Sequence, residues 1–367
     1  MKVDKSKWNN ALIKDSIKTL RVKDAIQKKD YLLTGKYPII SQEKDFISGY
    51  SNTKDNLNEN FGGVVIFGDH TRIVKYVDFD FCIGADGVKV LQPINKLSSK
   101  YLYYFIKWSN IPSNGYSRHF KFLRDVRIQY PEDKSIQQKI ATELDSIQTM
   151  IDGYKAQLTD LDALAQSIFL DTFGKPSEWN NSKLIDVCNK ITDGTHNPPQ
   201  FTEEGIPFIF VSNIINNEIT YNTQKFINEE TYNELWKSTP VECGDIVYTS
   251  VGSYGNPAIV KSKKKFMFQR HIALIKPKHD IINSQYLKWF LISPLGRQQA
   301  DDRSIGVAQK TLNLKVIKNF DVPIPPLPLQ QQFAEHVEAI EKQKDLLREQ
   351  LKDAETLMAE RMQYYFS

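Results

Sequence analysis

Cysteine is scarce in this chain. The 367 residues hold three, Cys82, Cys188 and Cys243, far apart and without a CxxC pair. That argues against a disulfide framework or a thiolate zinc site and suits a reducing compartment. The six histidines show no HxH or HExxH spacing, so no metal is expected. Nowhere do about 18 apolar residues run together, the length a membrane helix needs. The opening MKVDKSKWNN has no apolar stretch of the kind an export signal carries. A soluble, cytoplasmic protein that does not enter a membrane is expected. There is no GxxxxGKS/T loop for ATP phosphates and no GxSxG nucleophile elbow. Carboxylates are scattered without a nuclease pattern. Nor does one charge dominate: Lys plus Arg number 48 against 44 Asp plus Glu, a net +4. This mildly basic balance permits nucleic-acid binding without demanding it.

What is present suffices for two or three domains. The chain is 41% hydrophobic and 25% charged, so it can bury sizeable cores. One tripeptide, Asn197-Pro198-Pro199 in DGTHNPPQF, matches the Asn/Asp-Pro-Pro of adenine-N6 DNA methyltransferases. That chemistry requires an aromatic residue directly after the prolines to stack on an extruded base. Here Gln200 follows and Phe201 comes one position late. No Gly-x-Gly turn opening a βαβ unit offers a site for S-adenosylmethionine. Asp-Gly, Asn-Pro and Pro-Pro are all turn formers, so a loop is the better reading and no catalytic residue is assigned.

The chain repeats itself. KWNN ends at Asn10 and EWNN at Asn181. More clearly, the segments starting at Ile136 and Leu329 align without a gap over 39 residues at an offset of 193. Gln137, Gln138, Ala141, Ile147, Gln157, Leu158, Asp160, Leu164 and Phe173 recur identically in the second copy. In the first copy Ile140, Leu144, Ile147, Ile151, Tyr154, Leu158, Leu161, Ala165 and Ile168 are spaced alternately by four and three. That is the a/d seam of supercoiling helices. The second copy places Phe333, Val337, Ile340, Lys344, Leu347, Leu351, Ala354, Met358 and Arg361 there, imperfect at Lys344 and Arg361. Gly174 and Pro176 stop the first helix. Each helix follows a proline-bearing lead-in, IQYPEDKS or DVPIPPLPL. Such helices serve either as a dimerisation stem or as partners within one chain; their matched length favours the latter.

Two mixed β and α segments remain, roughly 8–134 and 179–320. GGVVIFGDH, RIVKYVDFDF, GDIVYTSVGS and PAIVKS read as short strands. KYLYYFIKW and QYLKWFLIS read as equivalent helices. GYSRHFKFLRDVRI and GVAQKTLNLKVIKNFDV then align Gly115 with Gly306 and Leu123 with Leu314. The chain is two copies of one unit, a globular domain followed by a long helix.

On these features the chain resembles the specificity subunit of a type I restriction–modification system, over nearly its whole length. The segments that carry the likeness are VPIPPLPLQQQFAEHVEAI, GVAQKTLNLKVI and GDHTR…FDFCIGADGVKVL, together with the duplication. The resemblance implies an α+β fold: two similar mixed α/β target-recognition domains separated by two long helices in an antiparallel coiled coil, with a pseudo-twofold internal repeat. The segments would be a first recognition domain (1–134), a first spacer helix (135–175), a second recognition domain (176–320), and a proline lead-in with the second spacer helix (321–367). It implies a non-catalytic subunit that binds double-stranded DNA at a bipartite target. The subunit would direct two methyltransferase subunits and, in the full complex, restriction subunits. No cofactor is expected in this chain; S-adenosylmethionine, and ATP with Mg2+, belong to those partners. Two alternatives are the specificity subunit of a bifunctional restriction–methylation enzyme and that of a methylation-only system. The single proline of IQYPEDKSIQQ and the seam cations Lys344 and Arg361 depart from the pattern and leave the helix geometry open.

Sequence is read on base edges, while phosphate contacts position the protein. Loops on a rigid scaffold carry such contacts. The candidates in the first domain are Asp69, His70, Thr71 and Arg72, with Tyr116, Ser117, Arg118 and His119. In the second they are Thr195 and His196; Ser250, Ser253, Tyr254 and Asn256; Arg270 and His271; and Gln309 and Lys310. Lys261–Lys265 is a positive patch suited to phosphate or to a solvated hairpin tip. The first seam covers 29 residues, roughly 43 Å at about 1.5 Å per residue, or on the order of a dozen base pairs at about 3.4 Å each. Two short half-sites with a fixed unread gap are expected.

Overall fold

The computed structural model describes residues 3–59, 61–84, 87–112, 115, 117–306 and 310–367. The chain divides into two compact units. Unit 1 takes the chain up to Ala156 together with Arg348–Ser367, and unit 2 is Gln157–Leu347. The boundary cuts across two 40-residue helices, Lys134–Phe173 and Leu327–Phe366. Each helix therefore gives one half to each unit, a finer division than a domain-then-helix partition.

Unit 1 is built on a four-stranded antiparallel sheet in the order Ile17–Thr19, Val88–Pro93, Val64–Gly68, Val74–Val77. Unit 2 repeats that order with Cys188–Asp193, Ile272–Pro277, Ile246–Thr249 and Pro257–Ile259. Each unit adds a second sheet around one parallel pair, four-stranded in unit 1 and three-stranded in unit 2. Ile39 faces Cys82 in unit 1 and Phe208 faces Met267 in unit 2. A two-stranded ladder then ties each domain's start to its end, Asn9–Leu12 with Arg127–Tyr130 and Asn180–Lys183 with Asp321–Ile324. Pro323 is tolerated there because a two-stranded ladder has free edges.

The short helices Ser99–Trp108 and Ser284–Ile292 start at side-chain caps. Ser98 accepts the Tyr101 N–H, and Asn283 accepts those of Gln285 and Tyr286, satisfying amides that have no intrahelical partner. Their buried tyrosines are equivalent: Tyr101 donates to the Gln129 carbonyl at 2.8 Å and Tyr286 to that of Pro323 at 2.6 Å. The aligned pair Leu123 and Leu314 is corrected by the structure. Leu123 corresponds instead to Ile317, both fully buried in the turns Phe120–Arg124 and Leu314–Lys318. The next amides also match, with Val126 bonding back to Leu123 and Phe320 to Ile317. What repeats is the buried position in the turn rather than the shared leucine.

The long helices bury the predicted seam. Ile140, Leu144, Ile147 and Ile151 join Ala354, Met358 and Met362 in the unit 1 core. In unit 2, Phe169 and Phe173 meet Phe333 and Val337. Within each unit, positions on one helix rise as their partners fall: Glu143 bonds Arg361 and Lys155 pairs with Glu355 in unit 1, while Asp162 pairs with Lys344 in unit 2. The two seam cations are thus satisfied. Lys344, 7% exposed, donates to Asp162 at 2.7 Å and Glu341 at 2.9 Å. Arg361 is held by Glu143, whose carboxylate also accepts the Tyr365 hydroxyl. Burial depresses the Lys344 ammonium, but the two carboxylate bonds outweigh it and raise the pKa. Each long helix closes on the same aromatic plug: Phe173 packs 4.8 Å from Tyr286, and Phe366 packs 5.3 Å from Tyr101. Among the described residues no helix is long and apolar enough to cross a membrane.

Candidate nucleic-acid interface

In unit 1 the candidate turn leaves the buried strand Val64–Gly68. Only glycine fits at Gly68, where a Cβ would lie 2.3 Å from Thr71 Oγ1. The Arg72 N–H closes the turn onto the Gly68 carbonyl at 2.8 Å. Arg72 takes a left-handed φ of 62°, uncommon for a side-chain-bearing residue, and donates from Nη1 to the Ile111 carbonyl at 2.8 Å. Asp69, 3% exposed, is an internal strut. Its N–H bonds Gly87 O and its carbonyl accepts the His119 N–H, both at 2.7 Å. Its carboxylate accepts the Phe120 N–H at 2.8 Å. His119, 1% exposed, sets Nδ1 3.0 Å from the Asp69 carbonyl oxygen. Asp69 and His119 therefore shape the turn from inside. Thr71, Arg72 and Arg118 are exposed, and His70 and Ser117 half-buried. Gln42 braces the turn from across the domain, accepting the His70 N–H at 3.1 Å and the Thr71 hydroxyl at 2.7 Å. Tyr116 lies outside the described residues.

Unit 2 draws its candidates together from four places in the chain. Ser250 N–H bonds the His271 carbonyl at 2.9 Å, Gly252 N–H that of Lys310 at 3.1 Å, and Arg270 N–H that of Thr195 at 3.1 Å. The Thr195 strand comes this close because Gly194 precedes it: a Cβ there would sit 2.1 Å from the Phe268 carbonyl oxygen. Ser250 is buried and used through its backbone, its carbonyl accepting the Leu312 N–H at 2.7 Å. It occupies the place of Asp69: in both units this residue bonds the sheet strand on one side and the segment before the short helical turn on the other. Tyr254 is also buried. Its hydroxyl donates to Asp301 at 2.6 Å, its ring lies 4.8 Å beneath the Arg297 guanidinium, and its carbonyl accepts from Arg297 at 2.9 Å. The Tyr254 hydroxyl, with Arg297 beside it, holds the Asp301 carboxyl below the usual range. Asn256 folds its amide back onto the Ser253 carbonyl at 2.8 Å.

His196, Ser253, Arg270 and Lys310 are exposed, with Thr195 and His271 half-buried. His196 lies 3.0 Å from Asp193. Burial, then the neighbouring Arg270, lowers the His271 pKa, so near neutral pH its ring offers hydrogen bonds rather than charge. Gln309 lies outside the described residues. The Lys261–Lys265 run is partly engaged: Lys261 pairs with Glu218, Lys265 with Glu229, and Lys264 lies 4.5 Å over the Tyr221 ring. Phe201 packs 5.3 Å from Phe208 within a small core. Among the described residues no group of three His, Cys, Asp or Glu is placed to hold a metal.

Gln42, Arg297 and Asp301 brace the loops and are missed by sequence reasoning, because each sits far in sequence from the turn it supports. The helix Pro294–Arg303, which carries two of them, shows no repeat that would have flagged it.

The family described as type I restriction modification DNA specificity domain matches residues 5–161 and again 176–356. The EcoBI type I restriction enzyme specificity subunit of Escherichia coli is 27% identical over 248 residues, 59% of this chain and 52% of that subunit. The chain thus spans about half the length of that relative. The MjaVIII specificity subunit of Methanocaldococcus jannaschii is 22% identical over 95% of this chain and 89% of its own length. In three dimensions the chain is similar to the type I restriction–modification S subunit from M. genitalium, with a TM-score of 0.63 at 17% identity over 100% of this chain and 98% of that one. With the family matched twice, once in each half, the chain belongs to the type I restriction–modification DNA specificity family.

Proposed function

We propose that each unit reads one half of a bipartite double-stranded DNA target, and that the chain brings methyltransferase and restriction subunits to it. The carrying observation is the shared frame around Asp69 and Ser250. The same backbone bonds recur in both units, while the side chains they present differ. That is the arrangement expected where a fixed scaffold serves two base sequences. Thr71, Arg72 and Arg118 in unit 1, and His196, Ser253, Arg270 and Lys310 in unit 2, are the exposed groups best placed for base edges and phosphates. His70, Ser117, Thr195, Asn256 and His271 line the same turns. Arginine suits guanine, and asparagine suits adenine. The two long helices act as an antiparallel coiled coil that sets the distance between half-sites. S-adenosylmethionine, and ATP with Mg2+, are bound by the partner subunits, and the assembly works in the cytoplasm.

The test is a domain exchange. Residues 8–134 are replaced by the first recognition domain of another system, and methylated sites are mapped. One half of the motif should change and the other stay. A change in both halves, or in neither, would refute independent reading.

A further inference from the structure

We propose that Gln137 and Gln330 are positioning residues for DNA recognition. Each locks the pitch of its long helix against the globular domain that precedes it, and together they fix the length of the unread gap. This rests on the specificity reading above.

The two glutamines occupy the same place in the repeat, the fourth residue of each long helix. Both are 0% exposed. Each makes the same three bonds to the same three pieces of backbone. Gln137 Oε1 accepts the Ser98 N–H at 2.8 Å, and its Nε2 donates to Lys96 O at 2.9 Å and Pro131 O at 2.6 Å. Gln330 Oε1 accepts the Asn283 N–H at 2.8 Å, and its Nε2 donates to Ile281 O at 3.2 Å and Pro325 O at 2.8 Å. Both amide donors are used, so the group has one stable orientation. The bonds join the helix to the lead-in proline and to the start of the domain's own short helix. The two lead-ins differ in proline content, yet the clip is the same in both.

No other side chain replaces this amide. Glutamate cannot donate to two carbonyls, and leucine leaves one N–H and two C=O groups unpaired in a fully buried site. The leverage is large. A tilt of roughly 5° at the start of a helix about 60 Å long displaces its far end by about 5 Å. That exceeds the rise of one base pair, about 3.4 Å.

The full chain is produced with a methyltransferase subunit of a type I system from the same source, and methylated bases are mapped across the host genome. The unaltered chain should give one gap length. Gln137→Leu and Gln330→Leu should each keep both half-site sequences while methylation at gaps one base pair longer or shorter rises at least tenfold relative to the native gap. Ile147→Ala, a seam variant away from the clip, should lower the denaturation midpoint and leave the gap fixed. If a leucine variant is insoluble, Gln137→Glu or Gln330→Glu carries the same expectation. Soluble variants that methylate only at the native gap show a structural role alone and overturn the proposal; so does a change in the half-site sequence read. An unaltered chain that directs no methylation refutes the specificity reading instead, a separate outcome.

Discussion

Asp69 and Ser250 stand at the same point of two copies of one fold and stabilise their turns differently. In unit 1 the carboxylate of Asp69 reaches the Phe120 amide, and the His119 ring packs beneath. In unit 2 Ser250 contributes its backbone alone, and rigidity comes from outside the repeat, through Tyr254, Arg297 and Asp301. The backbone relay is what the duplication preserves. The side-chain braces were free to diverge, because a turn needs its amides satisfied but is indifferent to which group satisfies them.

The largest test of this likeness concerns the aromatic plugs. Phe173→Ala and Phe366→Ala should each destabilise by about 3–5 kcal/mol, the range for emptying a buried phenylalanine site. Urea denaturation of the two variants should give similar losses; a large loss at only one would show that the helix ends are not equivalent.

A second contrast lies at matched positions of the short helices, Tyr103 in unit 1 and Lys288 in unit 2. Lys288 is 8% exposed. Burial, reinforced by Lys261 and Lys344 and opposed by Glu341 and Glu218, pushes its pKa down to about 8. Below that pH the lysine is charged in both folded and unfolded chains. Between about 8 and the ordinary 10.5 the unfolded chain binds a proton that the folded one does not, so stability rises with pH. At about 1.4 kcal/mol per unit, the rise is roughly 1–3 kcal/mol. The difference in unfolding free energy between wild type and Lys288→Met should shrink across that window; a constant difference would contradict the shifted lysine.

The smallest effect separates the two turns themselves. Asp69→Ala should cost about 1–3 kcal/mol, since it strands a buried amide. Ser250→Ala should stay within about 0.5 kcal/mol, because the bonds drawn from Ser250 are main-chain. Equal losses in chemical denaturation would show that the two turns are held in the same way.

Much of the architecture was legible beforehand. The 193-residue offset, the heptad seam and the KWNN/EWNN echo all correspond to real elements, because helix periodicity and strand alternation are written in consecutive residues. The helix-turn alignment failed by three residues, since matching letters are weaker evidence than matching burial. The seam residues Lys344 and Arg361 looked like defects until Asp162 and Glu143 came into contact with them from distant sequence, with Glu341 one turn back completing the Lys344 pair.

By itself the sequence determined the duplication, the long helices and the family. Only the tertiary structure decided which candidate residues face outward. It turned Asp69, His119, Ser250 and Tyr254 inward, gave Arg72 its left-handed turn, and brought Thr195, Ser250, Arg270 and Lys310 to one edge of unit 2. Those outcomes depend on hydrogen bonds between segments tens of residues apart, and a local pattern carries no record of them.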